Sequence, residues 1–285
     1  GENQHIIHHA LYPWIVFRVV DMRETLTHSK GALWWRREHA NIQVHHILKE
    51  TRAALARLAK RHSYRHLPPL EKSLYEKLSV IPGRRQRVFA IAAQNVRSQL
   101  GQRDFFQRGL ISSSRYLPYM EGEFKSIGLP VELTRMPFVE SSFNENARSK
   151  VGASGIWQIM PRTGRAYMIV NHQIDERNSP LKATFVAARF LRQYHHALGS
   201  CPLAITAYNH GIGNIRVAIR KAHSRDLATI IKRYHREDFQ FASSNFFTCF
   251  LAALYAEKYH ELLFKEHPRD PLLEREIFRL TERTH

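Results

Sequence analysis

The sequence of 285 residues predicts an all-α protein. Apolar residues recur at three- and four-residue steps along most of the chain, which is the period of an α-helix. Continuous alternation of apolar and polar residues, the pattern of strands, is not apparent, and we find no internal repeat or low-complexity tract. Because 44% of the residues are hydrophobic, the chain can bury a core, and we expect it to be folded rather than disordered.

The first hundred residues are basic and show helical periodicity. A long helix is predicted by the apolar stripe Val44, Ile47, Leu48, Thr51, Leu55 and Leu58. A break at Pro68-Pro69 precedes a short helix that ends before Pro82-Gly83, and another helix is expected from Gln86 to Leu100. Glycine and serine cluster over residues 101 to 112 and beyond, so we expect an N-terminal helical extension over residues 1–110.

Signals for helix ends become clearer in the second half. A helix from Arg115 to Phe124 is expected to close at Gly128-Leu129-Pro130. Ser179-Pro180 offers an N-cap and a proline at the first helical position, and Gly199 supplies the stop of that helix. Ser243 or Ser244 is expected to cap a last long helix. We therefore predict a second domain over residues 111–265 and a C-terminal tail helix over residues 266–285.

The composition limits the classes of partner. The formal net charge of +18 attracts polyanions such as nucleic acid, anionic lipid headgroups or an acidic cell-wall polymer. The chain shows no RNA-recognition signature, zinc-finger spacing or basic region followed by heptads. No apolar run approaches the roughly 20 residues of a membrane span; the nearest stretch, Leu11 to Val20, contains Arg18.

The histidines and cysteines do not indicate a metal. None of the 18 histidines falls in an H-E-x-x-H pattern, and no cysteine joins them at zinc-ligand spacing. Cys201 and Cys249 could form one disulfide in an oxidising compartment or be two separate thiols. We expect no metal and no organic cofactor.

One segment combines residues that suit acid/base chemistry on a sugar. Glu140 ends a short apolar stretch between Val139 and Phe143, and apolar surroundings favour a neutral carboxyl and so raise its pKa. A raised pKa suits a general acid near neutral pH. The following loop has Gly152 and Gly155, which allow close backbone approach. Its Ile156-Trp157-Gln158 run is expected to offer an aromatic face with an amide beside it, a surface suited to sugars.

Three blocks in this half resemble the catalytic core of family 1 lytic transglycosylases, which have an SLT domain with a lysozyme-like fold. The branch most similar is the membrane-bound lytic transglycosylase D type. The blocks are Glu140-Ser141, then Gly155-Ile156-Trp157-Gln158-Ile159-Met160-Pro161, then Ala207-Tyr208-Asn209-His210-Gly211. They occur in the family's order, and the resemblance covers about residues 115 to 255. It implies an all-α, lysozyme-like (SLT or goose-type) catalytic domain that follows the N-terminal extension.

The resemblance also implies roles for individual residues. Glu140 corresponds to the catalytic acid/base. The expected substrate-binding residues are Ser141, Gly155, Ile156, Trp157, Gln158, Tyr208, Asn209, His210 and Phe246. Two of these depart from the family pattern: His210 stands where small residues are common, and Phe246 or Phe247 stands where the family has a tyrosine that points toward the glutamate. Tyr208 is the local substitute that the sequence offers for that hydroxyl.

The function implied is cleavage of the β-1,4 bond between N-acetylmuramic acid and N-acetylglucosamine in peptidoglycan, with 1,6-anhydromuramyl products. The expected partner is the glycan strand, with anionic membrane lipids or wall polymers second and no nucleic acid. The expected location is periplasmic or otherwise extracytoplasmic, with any signal peptide removed.

Three alternatives stay open at this point. One is a nucleic-acid binder selected by its charge, which leaves the three blocks unexplained. A goose-type lysozyme would hydrolyse the same bond and would ordinarily use a second carboxylate. Glu145 and Asp175 are the nearest candidates in sequence, although Asp175 is expected to structure the turn before Ser179-Pro180. A weakened, wall-binding relative is the third alternative, because Phe246 lacks a hydroxyl.

Overall fold

The computed structural model describes residues 3–28, 32–235, 239 and 241–264, and the chain divides into two units, residues 1–104 and residues 105–285. The division lies inside the glycine- and serine-rich stretch 101–112 and six residues before the boundary expected at 110/111. The rest of that stretch is not a linker, because residues 103–113 form a helix. The tail helix expected over residues 266–285 lies outside the described residues.

The first unit combines helices with a small sheet. Its elements are β1 Gln4–His9, β2 Val16–Asp21, α1 Arg23–His28, α2 Leu33–Lys60, α3 Pro69–Leu78, α4 Arg85–Gln94 and β3 Val96–Leu100. The strand order is β2-β1-β3 with both neighbours antiparallel, and the register of β1 with β2 shifts between Ile7 and His8. Helix α2 packs against α4, α3 and β3. The core of this unit includes Ile7, Phe17, Leu55, Leu58, Leu74 and Phe89.

The expectation of a purely helical N-terminal extension is therefore corrected. The helix expected over 86–100 ends at Gln94, and Val96–Leu100 is a strand. The three strands are five or six residues long, and in β1 the three buried residues are consecutive rather than alternating. Short strands with this burial pattern do not produce the period-two signal on which strand prediction depends.

The second unit is helical in its described part, which agrees with the predicted fold class. Its elements are α5 Arg103–Ser113, α6 Leu117–Ser126, a 3-10 helix Val131–Arg135, α7 Met136–Glu140, α8 Pro161–Gly164, a 3-10 helix Glu176–Asn178, α9 Pro180–Leu198, α10 Cys201–His210, α11 Ile212–Ala222, α12 Leu227–Arg233, α13 Phe241–Ser244, α14 Phe246–Lys258 and α15 His260–Leu263. None of the helices among the described residues is both long enough and apolar enough to cross a bilayer.

Helix α9 is the central element of this unit. It packs against α6 and α10, while α14 packs against α7 and α10. Pro180 is its first residue, and Gly199 ends it with a φ of 75°, as the sequence predicts. The Ser179 side chain, however, accepts no capping hydrogen bond. A core of buried apolar side chains surrounds the helix, and Cys201 and Cys249 are free thiols.

Candidate active site

Glu140 is the last residue of α7, a helix of five residues with Pro137 in its first turn. The amides of Ser141 and Phe143 both donate to the Pro137 carbonyl, at 3.0 and 3.3 Å, and these bonds close the helix. Ser142 and Phe143 have φ values of 51° and 55°, a left-handed conformation that non-glycine residues seldom adopt. The chain thus reverses sharply after Glu140.

Helix α5 packs directly against this reversal. A Cβ at Gly109 would lie 3.0 Å from the Ser142 carbonyl oxygen and 3.2 Å from the Phe138 ring. Phe138 and Phe143 are 4% and 1% exposed, and their rings meet edge to face at 4.7 Å. The turn that carries Glu140 is therefore held in place by packing of the residues that precede and follow Glu140.

The Glu140 carboxyl has an environment that favours its neutral form. Burial raises its pKa from 4.5 to about 8, because a charged carboxylate loses hydration there. Within the ranges that the structure describes, no cation or hydrogen-bond donor reaches this carboxyl. The residue as a whole is partly exposed. This combination suits a proton donor at neutral pH.

Ser141 links the Glu140 turn to the loop that follows. Its hydroxyl donates to the Ile156 carbonyl at 2.8 Å. The expectation that this hydroxyl orients Glu140 is met only indirectly, since the hydrogen bond goes to backbone. Ser141 therefore positions the Glu140-bearing turn against the loop 147–159.

The loop 147–159 is organised by its own amide side chain and by an arginine beyond it. Gln158 Nε2 donates to the carbonyls of Ala147 and Gly155, at 3.1 and 2.9 Å. Arg177 is 6% exposed and donates to the carbonyls of Gly152 and Ile159, at 2.7 and 2.9 Å. Gly155 has a φ of 77°, and a Cβ there would lie 1.9 Å from the Arg177 carbonyl oxygen. Gly155 and Gln158 of the second block therefore stabilise the conformation of the loop 147–159.

Two residues expected on the sugar-binding surface lie in the core instead. The Ile156 and Trp157 side chains are 1% and 0% exposed. The Trp157 indole stacks on Phe124 at 5.8 Å and donates to Thr184 Oγ1 at 2.9 Å. The aromatic face expected from this run is therefore not available to a glycan. The apolar side chains of Ile156 and Trp157, which suggested a sugar-binding surface, are part of the core.

Helix α10 brings the third block to the same region. The Tyr208 hydroxyl donates to the Trp157 carbonyl at 2.9 Å. Burial first, and then the charge of Glu140, raise the pKa of Tyr208 well above 10, so Tyr208 lies near that carboxyl. Asn209 is exposed and accepts from Ser243 Oγ at 3.0 Å, while the His210 ring contacts Phe239 edge to face. Of these three residues only Asn209 is exposed, while Nε2 of His210 is buried and the Tyr208 hydroxyl is engaged by backbone.

Phe246 does not line an accessible surface. It is the first residue of α14 and is 5% exposed within the main core. Tyr208 is not a replacement donor to Glu140, because its single proton is used by the Trp157 carbonyl. In the described part of the chain, no hydroxyl bonds the catalytic candidate as the family's tyrosine is expected to do.

The two other carboxylates considered from the sequence have different settings. Asp175 pairs with Arg177 at 2.7 Å and accepts from the Arg177 amide, so it structures the turn before α9, as predicted. Glu145 accepts from the Tyr116 hydroxyl at 2.8 Å. Neither carboxylate contributes to the pKa shift of Glu140, because that shift is caused by burial.

Sequence reasoning missed Arg177 and Tyr116. Arg177 stands in Asp175-Glu176-Arg177-Asn178, where the sequence predicted a role in the turn for Asp175 and none for Arg177. The signal that could have found it is an arginine between an N-capping aspartate and a helix start, close to a glycine-rich block. Tyr116 lies in the expected helix 115–124, and no local pattern marks its bond to Glu145.

Comparison with known proteins agrees with this geometry. Residues 122–231 match the transglycosylase SLT domain family. This part of the chain is therefore similar to a transglycosylase SLT domain. The match includes Glu140, the loop 147–159 and the Tyr208 block, and it stops before Phe246. The predicted family resemblance is thereby confirmed.

Three curated proteins are similar to part of this chain. Membrane-bound lytic murein transglycosylase D of Escherichia coli K12, and that of E. coli O6:H1, are 34% identical over 116 residues, which is 40% of this chain and 26% of theirs. A protein of Alteromonas sp. M-1, named for tributyltin chloride resistance, is 35% identical over 106 residues, or 36% of this chain and 51% of its own length. The chain thus spans about a quarter of the E. coli relatives.

Proposed function

We propose that the SLT domain cleaves the β-1,4 bond between N-acetylmuramic acid and N-acetylglucosamine in peptidoglycan, with Glu140 as the general acid and base. The observation that carries this proposal is the raised pKa of Glu140, about 8, at the end of α7 in a domain of this family. The name of the E. coli relatives, which act on murein, supports the substrate class.

The reaction uses the two protonation states of Glu140 in turn. Neutral Glu140 donates its proton to the glycosidic oxygen as the bond to the muramyl C1 breaks. The substrate's acetamido group stabilises the positive charge at C1. The Glu140 carboxylate then accepts the proton of the muramyl 6-hydroxyl, whose oxygen bonds to C1 and closes a 1,6-anhydro ring. Atoms and charge balance without water, and Glu140 returns to its neutral form.

The surroundings of Glu140 support ring closure over hydrolysis. A hydrolase ordinarily needs a second carboxylate about 5–9.5 Å from the first. Among the described residues, no other carboxylate contributes to the pKa shift of Glu140, and Asp175 is engaged by Arg177. Ser141, Gln158, Tyr208, Asn209 and His210 are proposed to position the glycan, with Ser141 and Gln158 acting through the loop.

The compartment and partners follow from the substrate. Peptidoglycan lies outside the cytoplasmic membrane, so a periplasmic or extracytoplasmic location is proposed. The net charge of +18 favours association with a polymer whose peptides carry carboxylates and with anionic lipids nearby.

Digestion of purified sacculi tests the proposal. Wild-type protein is expected to release soluble fragments whose masses are 18 Da below those of hydrolysed fragments, because water is not added. Glu140→Gln is expected to release none. Glu132→Gln is the matched control, since Glu132 is exposed and lies on the neighbouring 3-10 helix. Reducing ends in place of anhydro ends would assign the goose-type hydrolase instead, and binding without release by wild type would assign a wall-binding protein.

A further inference from the structure

A cavity of about 790 Å³ lies in the first unit, outside the residues that match the SLT family. Its walls come from the end of β1 and the turn after it, the end of α2, the loop before α4, and α4 itself. A volume of this size is typical of pockets that bind small organic molecules. All of its lining residues belong to residues 1–104, so the cavity is a candidate binding site of the first unit by itself.

The charged side chains that line this cavity are arginines. Arg84 and Arg87 are exposed, and no aspartate or glutamate is among the lining residues. Neither arginine forms an ion pair with a carboxylate of the described residues. Most of the other lining residues are apolar, and they include Ile81, Pro82 and Ile91. The wall therefore suits an anion that carries an apolar part.

The start of α4 forms part of the same wall. The helix begins at Arg85 and is ten residues long, and Gly83, Arg84 and Gln86 beside its start line the cavity. The first amide with an acceptor in the helix is that of Val88, which donates to the Arg84 carbonyl at 3.1 Å. The earlier amides of this turn have no acceptor within the helix, and the turn contains no acidic side chain. Such a helix start attracts anions through its N–H groups and the helix dipole.

A buried histidine is an independent indication of a ligand. His9 also lines the cavity and is 1% exposed. Its Nδ1 accepts the Leu11 amide at 3.1 Å, whereas its Nε2 is buried and has no hydrogen-bond partner among the described residues. Burial first, and then the charge of His8, lower the pKa of His9 to about 4, so the ring is neutral at pH 7. Because Nδ1 is the acceptor, the neutral ring carries its proton on Nε2, a buried donor of the kind that proteins normally pair.

We propose that this cavity binds a phosphate ester with an apolar part. The phosphate lies at the start of α4 beside Arg84 and Arg87, and a ligand oxygen accepts the His9 Nε2 proton. A phosphate has more acceptor oxygens than a carboxylate, so it matches two guanidinium groups together with helix amides. The inference is independent of the proposed cleavage, because Glu140 belongs to the other unit. Soluble phosphate esters and phospholipid headgroups share this chemistry, and the experiment distinguishes them.

Calorimetric titration of the full chain at fixed ionic strength compares three soluble probes, which are hexyl phosphate, hexanoate and inorganic phosphate. We expect hexyl phosphate to bind at least about fivefold more tightly than either of the others. Hexanoate lacks the phosphate, and inorganic phosphate lacks the apolar part. If hexyl phosphate does not bind, or binds no more tightly than one of the other two probes, the proposal is overturned.

Variants locate the binding in the cavity. Arg84→Gln and Arg87→Gln are each expected to weaken hexyl phosphate binding about three- to tenfold. His9→Asn keeps an acceptor for the Leu11 amide but removes the Nε2 donor, and a similar loss is expected. Arg37→Gln removes the same charge from an exposed position of α2 that does not line the cavity, and unchanged affinity is expected. Equal losses in Arg37→Gln and Arg84→Gln contradict the proposal, because they would indicate attraction by net charge alone.

Unfolding temperatures of all variants are recorded, and the exposed arginines keep the test decisive if His9→Asn does not fold. Vesicles then identify the source of the phosphate. Sedimentation with phosphatidylcholine vesicles, with and without phosphatidic acid, is compared for Arg84→Gln and Arg37→Gln. A greater loss of phosphatidic acid-dependent binding in Arg84→Gln assigns the cavity to a phospholipid headgroup. Equal vesicle binding by the two variants, together with Arg84-dependent binding of hexyl phosphate, assigns it to a soluble ester.

Discussion

Glu140 has its ionisation set by burial, and this gives the proposed reaction a defined pH dependence. With a pKa of about 8, the carboxyl is about nine-tenths protonated at pH 7. Because the acid form starts the reaction, we expect kcat/KM to fall tenfold per unit as pH rises above about 8. The decrease of kcat/KM with pH is measured by the release of dye from labelled sacculi. A fall that begins near pH 4.5 would mean that the carboxyl is solvated as in a free peptide.

The same pKa shift affects stability. A carboxyl whose pKa is higher in the folded state binds more protons there between 4.5 and about 8, so the free energy of unfolding decreases as pH rises through that range. Glu140→Gln removes the penalty of the buried charge. Since Glu140 is partly open to solvent, we expect a gain of about 1–3 kcal/mol at pH 9, or a few degrees in Tm, and little change at pH 4.

Thermal unfolding of both proteins at pH 4 and pH 9 provides the measurement. Glu132→Gln, the exposed control on the 3-10 helix, is expected to show the same Tm as wild type within about a degree at each pH. A Glu140→Gln Tm that stays below wild type at pH 9 contradicts the argument, because it would mean that the carboxylate makes a stabilising contact.

At the scale of elements, the loop 147–159 depends on close backbone approach at Gly155. Alanine there would place a Cβ 1.9 Å from the Arg177 carbonyl oxygen at a φ of 77°, which requires the loop or Arg177 to move. We expect Gly155→Ala to cost at least about 3 kcal/mol and to abolish digestion. Gly122→Ala on α6 meets nothing within 4 Å and is expected to stabilise by about 0.5–1 kcal/mol. Denaturant midpoints of the two variants compare these effects; similar midpoints would contradict the steric argument.

Arg177 connects the loop to the turn before α9 through several donors at once. Its guanidinium bonds the carbonyls of Gly152 and Ile159 and pairs with Asp175. A lysine has one ammonium group and cannot reproduce this planar set of donors. We expect Arg177→Lys to lose about 2–3 kcal/mol of unfolding free energy. We also expect kcat to decrease more than KM changes, because the loop that Ser141 contacts beside Glu140 loses hydrogen bonds. Unchanged kcat in a destabilised variant would limit Arg177 to a structural role.

These elements show which parts of the site a sequence can predict. Pro180 and Gly199 bound α9 because proline and glycine have local backbone preferences that do not depend on tertiary contacts. The raised pKa of Glu140 was predictable from its apolar neighbours in sequence, whereas its catalytic role is implied by the family resemblance and stays a prediction. The settings of Trp157 and Arg177 were not predictable, since their burial depends on Phe124, Thr184 and the loop carbonyls, which are distant in sequence.

The strands of the first unit illustrate the same limit. Val96 fits the helical spacing of the preceding residues, yet it begins β3, because pairing of Val96–Leu100 with β1 provides hydrogen bonds that the local sequence does not encode. The period of apolar residues indicates helices well where one face is buried over several turns. It does not indicate a five-residue strand that pairs with residues about ninety positions earlier.

At the scale of the whole molecule, each unit has its own hydrophobic core. The core of residues 1–104 includes Ile7, Leu55 and Phe89, and that of the second unit includes Met120, Trp157 and Leu191. A unit with its own core of this size is expected to fold alone. We predict that residues 1–104 and residues 105–285, expressed separately, each unfold cooperatively on heating.

The two fragments also locate the proposed activity. Glu140, the loop 147–159 and the Tyr208 block all lie within residues 105–285, so this fragment is expected to digest sacculi with the same anhydro products as the full chain, whereas residues 1–104 release none. Circular dichroism of both fragments establishes folding before activity is compared. A folded fragment 105–285 without activity would mean that the first unit contributes groups to the reaction, and the assignment of the chemistry to the SLT domain alone would be wrong.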